Sequence, residues 1–304
     1  MPLVECVPNF SEGLRADVIA ALVEAVRSTP AAFLDVSSDA DHNRTVITFA
    51  GEPDDVAEAM FRAARVAVER IDVEEHSGVH PRMGAVDVIP FIPLREISLE
   101  ACADLARAFG ARVGAELGIP VYLYEAAAAR PERVNLADVR RGGYELLKTT
   151  ISTPERAPDF GPARVSSAGA VAVGARNPLI AFNVFLDTPD VAVAQAIALA
   201  IRESGGGLPY LKALGLLVGG QAQVSMNVID FRQMPLFTIM ERLRAEVRKH
   251  GVSITRTELV GLIPQKALID YALASLQLPP ATRDQVLEIR LGEVTGDFRE
   301  VMFE

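Results

Sequence analysis

Two of the four histidines stand at i and i+4 in the segment His76-Ser-Gly-Val-His80-Pro-Arg-Met-Gly84; the others are His42 and His250. On a helix such a pair could bind zinc, but Gly78 and Pro81 interrupt helical continuity, and no glutamate lies between the histidines as zinc-protease chemistry requires. Metal binding is the weak reading, and no metal site is expected. A loop histidine that takes and returns a proton near neutral pH is one remaining reading. A loop histidine that caps a turn is the other. Spacing alone leaves the two even.

The segment His42-Asn43-Arg44-Thr45 leads into a strand on which Arg44, Val46 and Thr48 share a face. An arginine there can clamp a carboxylate through two parallel hydrogen bonds, although an exposed edge-strand arginine is the plainer reading. Asn9 and Asp35 fall at strand ends, where sites form but where both residue types also make turns. Residues 161–174 are small and flexible, so a flat ligand could approach the backbone; a connector between domains is the bland alternative. Ser204-Gly-Gly-Gly-Leu208 could cradle an anion on backbone N–H groups, but it lacks the Lys-Ser/Thr ending of a phosphate loop, and a helix-ending turn explains it as well. Cys6 sits inside an apolar run and reads as a buried structural cysteine rather than a nucleophile.

These residues need a scaffold. Residues 3–7 read as a strand that ends at Pro8-Asn9. Residues 16–27 carry Val18, Ile19, Leu22, Val23 and Val26 at helical spacing. Strands at 32–36 and 45–49 flank a polar loop at 37–42, and Pro53 opens a helix to 71. A strand at 86–92, a helix at 99–117 and a strand at 121–124 follow, then short helices and loops across 126–159. The second half repeats this grammar. Its strands lie at 179–186, 214–218, 223–230 and 254–262. Its helices lie at 191–201, after Thr188 as cap, and at 234–250 and 267–276. Gly219-Gly220 marks a hairpin. On strand 223–230, Val224, Met226 and Val228 share one face, and Gln223, Ser225 and Asn227 the other. Strand, helix, strand, strand, helix, strand is the ferredoxin-like order. The expected fold is therefore α/β (α+β): two tandem ferredoxin-like subdomains, residues 1–177 and 178–304. A dinucleotide-binding fold is weaker, because no strand is followed by Gly-x-Gly-x-x-Gly.

Composition narrows the classes. The 304 residues are 50% hydrophobic and 23% charged, with a formal charge of −10. An acidic chain repels phosphate backbones, so no nucleic acid is expected. No apolar run approaches the ~18 residues of a membrane span. Two cysteines and no visible signal peptide fit a cytoplasmic protein.

Several longer stretches then carry a resemblance. Val4-Glu-Cys-Val-Pro-Asn-Phe-Ser-Glu-Gly13, Asn43-Arg-Thr45, His80-Pro-Arg-Met-Gly84, Asp87 to Pro93, Pro120-Val-Tyr-Leu-Tyr124, Pro158-Asp-Phe-Gly-Pro162, Gly174-Ala-Arg176, Ile180-Ala-Phe-Asn183 and Val260-Gly-Leu262 resemble the glutamate formimidoyltransferase family, in order and over nearly the whole chain. The resemblance implies transfer of a formimino group from N-formimino-L-glutamate to N5 of tetrahydrofolate, in histidine breakdown. It implies two ferredoxin-like subdomains with a substrate groove between them, a homodimer, and tetrahydrofolate as co-substrate. The family's catalytic histidine matches His80. Its folate-contacting stretch matches Gly161, Pro162, Ala163, Arg164, Val165, Ser166, Ser167, Ala168 and Gly169, one residue shorter than in the animal enzymes and with Ala168 near the place of their tryptophan. With this substrate in mind, Asp35 becomes a candidate partner for the cationic formimino group. Arg44 and Arg82 become candidates for the glutamate carboxylates, and Asn9 for a substrate hydrogen bond. The chain resembles the free-standing prokaryotic form, without a cyclodeaminase domain. Two rivals remain: transfer of a formyl group between glutamate and folate, which the same histidine would serve, and a non-catalytic folate-binding protein, against which the intact His80 segment argues.

Overall fold

Leu3–Cys6 (β1) and Asn9–Phe10 (β2) fill one strand position, broken where Pro8 has no N–H to give to a ladder. In the computed structural model, which describes residues 1–78 and 81–295, both pieces pair antiparallel with Arg44–Gly51 (β4) on one side and Val86–Arg95 (β5) on the other. Ala16–Arg27 (α1) carries the chain to Ala32–Asp39 (β3), which pairs with β4. Pro53–Arg70 (α2) carries it from β4 to β5. The spatial order β3–β4–β1/β2–β5 is the ferredoxin-like arrangement. Val18, Leu22 and Val26 of α1 recur at every fourth position and are buried on the sheet side. Pro53 at the first turn of α2, followed by Asp54 and Asp55, suits a helix start both sterically and electrostatically.

The first sheet then grows beyond that unit. Leu99–Glu116 (α3), capped by the Ser98 hydroxyl accepting from the Ala101 N–H, leads to Val121–Glu125 (β6). Leu136–Val139 (α4) and Gly143–Thr150 (α5) follow. Val171–Ala175 (β7) inserts parallel between β5 and β6 and completes a seven-stranded sheet among the described residues. The connector reading of residues 161–174 is thus wrong in its second part. All five residues of β7 are buried, and a strand covered on both faces shows no alternation to betray it. Its Gly174 is dictated by packing, since a Cβ there would lie 2.6 Å from the Tyr124 ring. One face of this sheet packs on α1, α2 and α3 through Phe10, Ile47, Phe49, Ile89, Phe91 and their neighbours. The opposite face is apolar at the β5–β7–β6 end, where Val88, Tyr122, Tyr124 and Ala172 meet Val139, Leu147 and Ile151.

The chain divides into two compact units between Asn177 and Pro178. In the second unit, Ile180–Leu186 (β8), Val191–Ile201 (α6), Leu211–Val218 (β9), Gln221–Val228 (β10), Leu236–Lys249 (α7) and Ile254–Val260 (β11) repeat the circuit. Their antiparallel order, β11–β8–β10–β9, is again ferredoxin-like. Gly219 and Gly220 turn the β9–β10 hairpin with φ of 56° and 75°, the left-handed pair that a tight hairpin needs. Asp190, not Thr188, caps α6, its carboxylate accepting the Ala192 N–H at 2.9 Å. The triple glycine closes α6: the N–H groups of Gly205, Gly206, Gly207 and Leu208 all donate to carbonyls between Ile201 and Glu203. None of these four N–H groups is left to cradle an anion. Gln265–Ser275 (α8) and Leu287–Thr295 (α9) end the described chain.

Candidate functional site

Arg44 opens β4, an interior strand with β3 on one side and β1/β2 on the other. The edge-strand reading of Arg44 therefore fails, because β3 takes the edge. The residue before it, Asn43, adopts left-handed backbone at φ 46° and binds three segments. Its Oδ1 accepts the Gly13 N–H at 2.8 Å, its Nδ2 donates to the Ser77 carbonyl at 3.0 Å, and its own carbonyl accepts from His76 Nε2 at 2.8 Å. A carbonyl can only accept, so His76 carries its proton on Nε2. His76 Nδ1 is buried with no hydrogen-bond partner among the described residues. Burial, helped by the nearby Arg82 charge, holds the His76 imidazole below the usual histidine range, against the opposing pull of the Asn43 carbonyl.

Phe10, Ser11, His42, Asn43 and Arg44 line a pocket together with His76, Pro81, Arg82 and Asp87. His42 is buried, with Nδ1 3.0 Å from Asp39 Oδ1, which also accepts the His42 N–H at 2.7 Å. Burial alone would raise the Asp39 carboxyl, but these bonds from His42 outweigh it and hold the group below the ordinary range. Arg82 Nη2 donates to the His76 carbonyl at 3.1 Å and to Glu145 at 3.1 Å. Asp87 accepts the Met83 N–H at 2.9 Å on Oδ1 and Arg140 on Oδ2. Arg44 is pushed down to about 10, chiefly by burial and then by the positive charge of Arg140, with Asp87 and Asp39 opposing. It remains cationic at neutral pH. Arg44 and Arg82 in the lining and Arg140 behind Asp87 make this a place suited to anionic groups.

Glu74 and Arg82 are held from a second side by α5. The Tyr144 N–H donates to the Arg82 carbonyl at 2.9 Å. The Tyr144 hydroxyl lies 2.7 Å from Glu74 Oε1 and 3.2 Å from the Ser166 carbonyl. Burial, and next the bond to Glu74, push this phenol well up. The stretch Gly161–Gly169 docks by its far end. The Ser167 carbonyl accepts from Val73, the Ala168 carbonyl from Ala85, and the Met83 carbonyl from Ala170. Ala168 and Gly169 are buried, whereas Gly161, Ala163, Arg164, Ser166 and Ser167 are exposed. Close approach enforces glycine here: a Cβ at Gly84 would fall 2.1 Å from the Ala170 carbonyl oxygen.

The structure thus brings together Arg44, Arg82 and, along the 83–85 segment, the end of the 161–169 stretch. His80 lies outside the described residues. Asn9 and Asp35 do not join the pocket lining. Asn9 sits on β2 between Val46 and Val88, and its Nδ2 donates to the nearby Val7 carbonyl at 3.3 Å. Asp35 pairs with Thr48 on β3, on the same face as Arg44 but about 13 Å along the strand from Asp39. The sequence reading weighed His76 only as one of a histidine pair, and passed over Ser11, Asp87 and Arg140 as site residues. Asp87 did carry a signal: a carboxylate within the otherwise apolar run Ala85-Val86-Asp87-Val88-Ile89 must be paired when buried. Among the described residues, no group of three or more His, Cys, Asp or Glu side chains is gathered to hold a metal ion, and no helix is long and apolar enough to cross a membrane.

The chain is similar to known proteins over both units. Residues 3–176 match the formiminotransferase domain, N-terminal subdomain, and residues 181–277 match the formiminotransferase domain. A glutamate formimidoyltransferase of Streptococcus pyogenes serotype M1 is 46% identical over 280 residues, 91% of this chain and 94% of that protein. A glutamate formimidoyltransferase of Thermoplasma acidophilum is 45% identical over 296 residues, 96% of this chain and 98% of that one. The formimidoyltransferase-cyclodeaminase of Mus musculus is 46% identical over 281 residues, which make up 89% of this chain but 52% of that protein. With matches to both subdomain models and near-full-length identity of this order, the chain belongs to the formiminotransferase family.

Proposed function

We propose that this protein moves the formimino group of N-formimino-L-glutamate to N5 of tetrahydrofolate, releasing L-glutamate, as a step of histidine degradation. The observation that carries the reading is the convergence of Arg44 and Arg82 on one pocket with His76 and Pro81. It supplies cations for a dicarboxylate, and Arg82 stands two residues along the chain from the sequence's candidate proton-transfer group, His80. In the reaction, N5 attacks the amidine carbon and the new N–C bond gives a tetrahedral adduct. The bond from that carbon to the glutamate nitrogen then breaks. The N5 proton must leave and the glutamate nitrogen must gain one, and an imidazole suits both tasks. His80 is assigned that role. Asn9 and Asp35, placed along the sheet rather than in the pocket, are assigned at most to the outer parts of the substrates. The exposed residues of Gly161–Gly169 are assigned to tetrahydrofolate. A homodimer in the cytoplasm, free of nucleic acid, completes the proposal.

The test is to mix the purified protein with tetrahydrofolate and formiminoglutamate and follow 5-formimino-tetrahydrofolate and glutamate. Stoichiometric appearance of both supports the reading; absence of both overturns it. His80→Ala should lower kcat by about 10²–10⁴, the range for loss of a general acid–base, with tetrahydrofolate affinity retained. Turnover at the unsubstituted rate removes His80 from the mechanism.

A further inference from the structure

His76 lines the pocket with one ring nitrogen engaged and one idle. Its Nε2–H donates to the Asn43 carbonyl at 2.8 Å, and Asn43 is itself tied to the Gly13 N–H and the Ser77 carbonyl. The fixed carbonyl sets the tautomer, so the neutral imidazole keeps Nδ1 as a lone pair that can only accept. Nδ1 is buried without a hydrogen-bond partner among the described residues, and so is the donor Arg82 Nε. Both side chains line one pocket with Arg44, and Arg82 Nη2 donates to the His76 carbonyl at 3.1 Å. The carboxylate in the same lining, Asp87, is already engaged on both oxygens.

An acceptor and a donor left idle in one pocket carry a desolvation cost that a ligand can relieve. Such a ligand must bring an acceptor to Arg82 and an N–H to His76. Formiminoglutamate brings both, because its carboxylates accept and its amidine donates. N-formyl-L-glutamate has the same carboxylates but an oxygen in place of the terminal amidine nitrogen. That oxygen can only accept, and it would meet the Nδ1 lone pair with another lone pair. A site built to bond a substrate N–H rejects the analogue that lacks it, because the site's own polar atom is then left unpaired. We propose that His76 is a specificity-determining residue whose Nδ1 accepts the terminal N–H of the formimino group and so selects formimino over formyl donors. The inference rests on the proposed transferase reading. His76 moves no proton in it; its own proton stays on Nε2. Burial and the Arg82 charge favour the neutral ring that this task needs, against the Asn43 carbonyl, the Glu12 charge and the carbonyl of His76 itself. His42, Arg44 and Asp87 are the other charged or titratable groups of the described lining.

The experiment measures, for N-formimino-L-glutamate and N-formyl-L-glutamate, Kd by calorimetry and kcat/KM with tetrahydrofolate, in the unsubstituted protein and in His76→Gln. Glutamine can still donate to the Asn43 carbonyl but has no acceptor bonded to its γ carbon, as Nδ1 is. The readout is the formimino-to-formyl ratio, in which a general loss of folded protein or of turnover cancels. His76→Gln should lower the ratio by about tenfold to hundredfold, the worth of one hydrogen bond to a charged group. In the unsubstituted protein the ratio should fall from about pH 7 towards pH 5, as a proton on Nδ1 turns the acceptor into a donor. An unchanged ratio in His76→Gln overturns the inference. Should that variant fail to fold, a ratio that stays flat with pH in the unsubstituted protein overturns it. If formimino transfer proceeds with a ratio indifferent to His76, the activity stands and the inference falls. If calorimetry shows the His76-dependent preference but neither group is transferred, the proposed activity falls and the preference stands. If neither donor binds, both fall.

Discussion

Arg140 and Asp87 form a mostly buried ion pair in which the carboxylate serves two masters: Oδ2 takes the guanidinium, and Oδ1 takes the backbone N–H of Met83. The pair therefore fixes the turn at Met83 that leads into β5. It also sets the field at Arg44, which feels Arg140 as a repelling charge and Asp87 as an attracting one.

Replacing Asp87 with Asn keeps the shape but strands Arg140 without a counter-charge. Breaking one side of a buried pair costs about 3–5 kcal/mol. Denaturant unfolding should show Asp87→Asn destabilised by about 3 kcal/mol, the lower figure because Arg140 keeps some contact with water. The double variant Asp87→Asn, Arg140→Met should recover most of that loss, since the uncompensated charge goes with the arginine. A double variant as unstable as the single would mean that the Met83 turn, not the charge, carries the effect.

His76 gives the site a pH response. Its folded-state value lies below the usual histidine range, so the unfolded chain takes up this proton first as pH falls. The stability tied to neutral His76 is therefore fully present above about pH 6.5, the ordinary histidine value. It is lost as pH falls through the depressed folded value. His76→Gln, whose amide can still donate to the Asn43 carbonyl, removes the titration. The difference in thermal midpoint between the unsubstituted protein and His76→Gln should be flat from pH 8 to 7 and shift in favour of the variant towards pH 5. A pH-independent difference would place the titrating proton elsewhere.

Gly84→Ala tests the docking of the 161–169 stretch. The new methyl would meet the Ala170 carbonyl oxygen at 2.1 Å, and a backbone oxygen cannot step aside as a flexible side chain can. Residues 83–85 and 168–170 would have to separate, breaking the bonds from Ala85 to Ala168 and from Ala170 to Met83. Hydrogen exchange should report loss of protection at these two amides, with tetrahydrofolate affinity falling alongside. Retained protection would show that the segments tolerate the added methyl.

The parts that the sequence displayed and the parts that it hid differ in physical kind. α1 and α6 match their expected bounds, because amphipathic or alanine-rich runs with caps or flanking breaks are local signals. Both ferredoxin-like circuits were legible for the same reason. β7 was hidden, since a small-residue strand buried on both faces reads like a loop. Within the site, Arg44 was found by its type, but its setting was not, because only the register of β3 reveals that β4 is interior. Arg140 lies 53 residues from Asp87, and no local pattern marks such a partner. Gln223 was read as one member of a polar strand face. Its full burial belongs to tertiary packing, which alternation alone cannot show.

Arg44 offers the sharpest test of substrate recognition. It lines the pocket together with Arg82 and feels the charges of Arg140, Asp87 and Asp39, and a guanidinium so placed can take a substrate carboxylate. Arg44→Ala should raise KM for formiminoglutamate by about tenfold to hundredfold, the factor for one charge-assisted hydrogen bond to a carboxylate. Arg44→Lys restores the charge but not the planar fork, so it should recover only part of the loss. Arg44→Ala relieves repulsion with Arg140 but gives up attraction to Asp87 and Asp39, so its ligand-free midpoint should fall less than that of Asp87→Asn, and that of Arg44→Lys, which keeps the charge, less still. Added glutamate, as product, should inhibit the unsubstituted enzyme more strongly than Arg44→Ala. Equal inhibition, with KM for formiminoglutamate unchanged, would take Arg44 out of carboxylate recognition and leave Arg82 as the arginine of the pocket lining to test next.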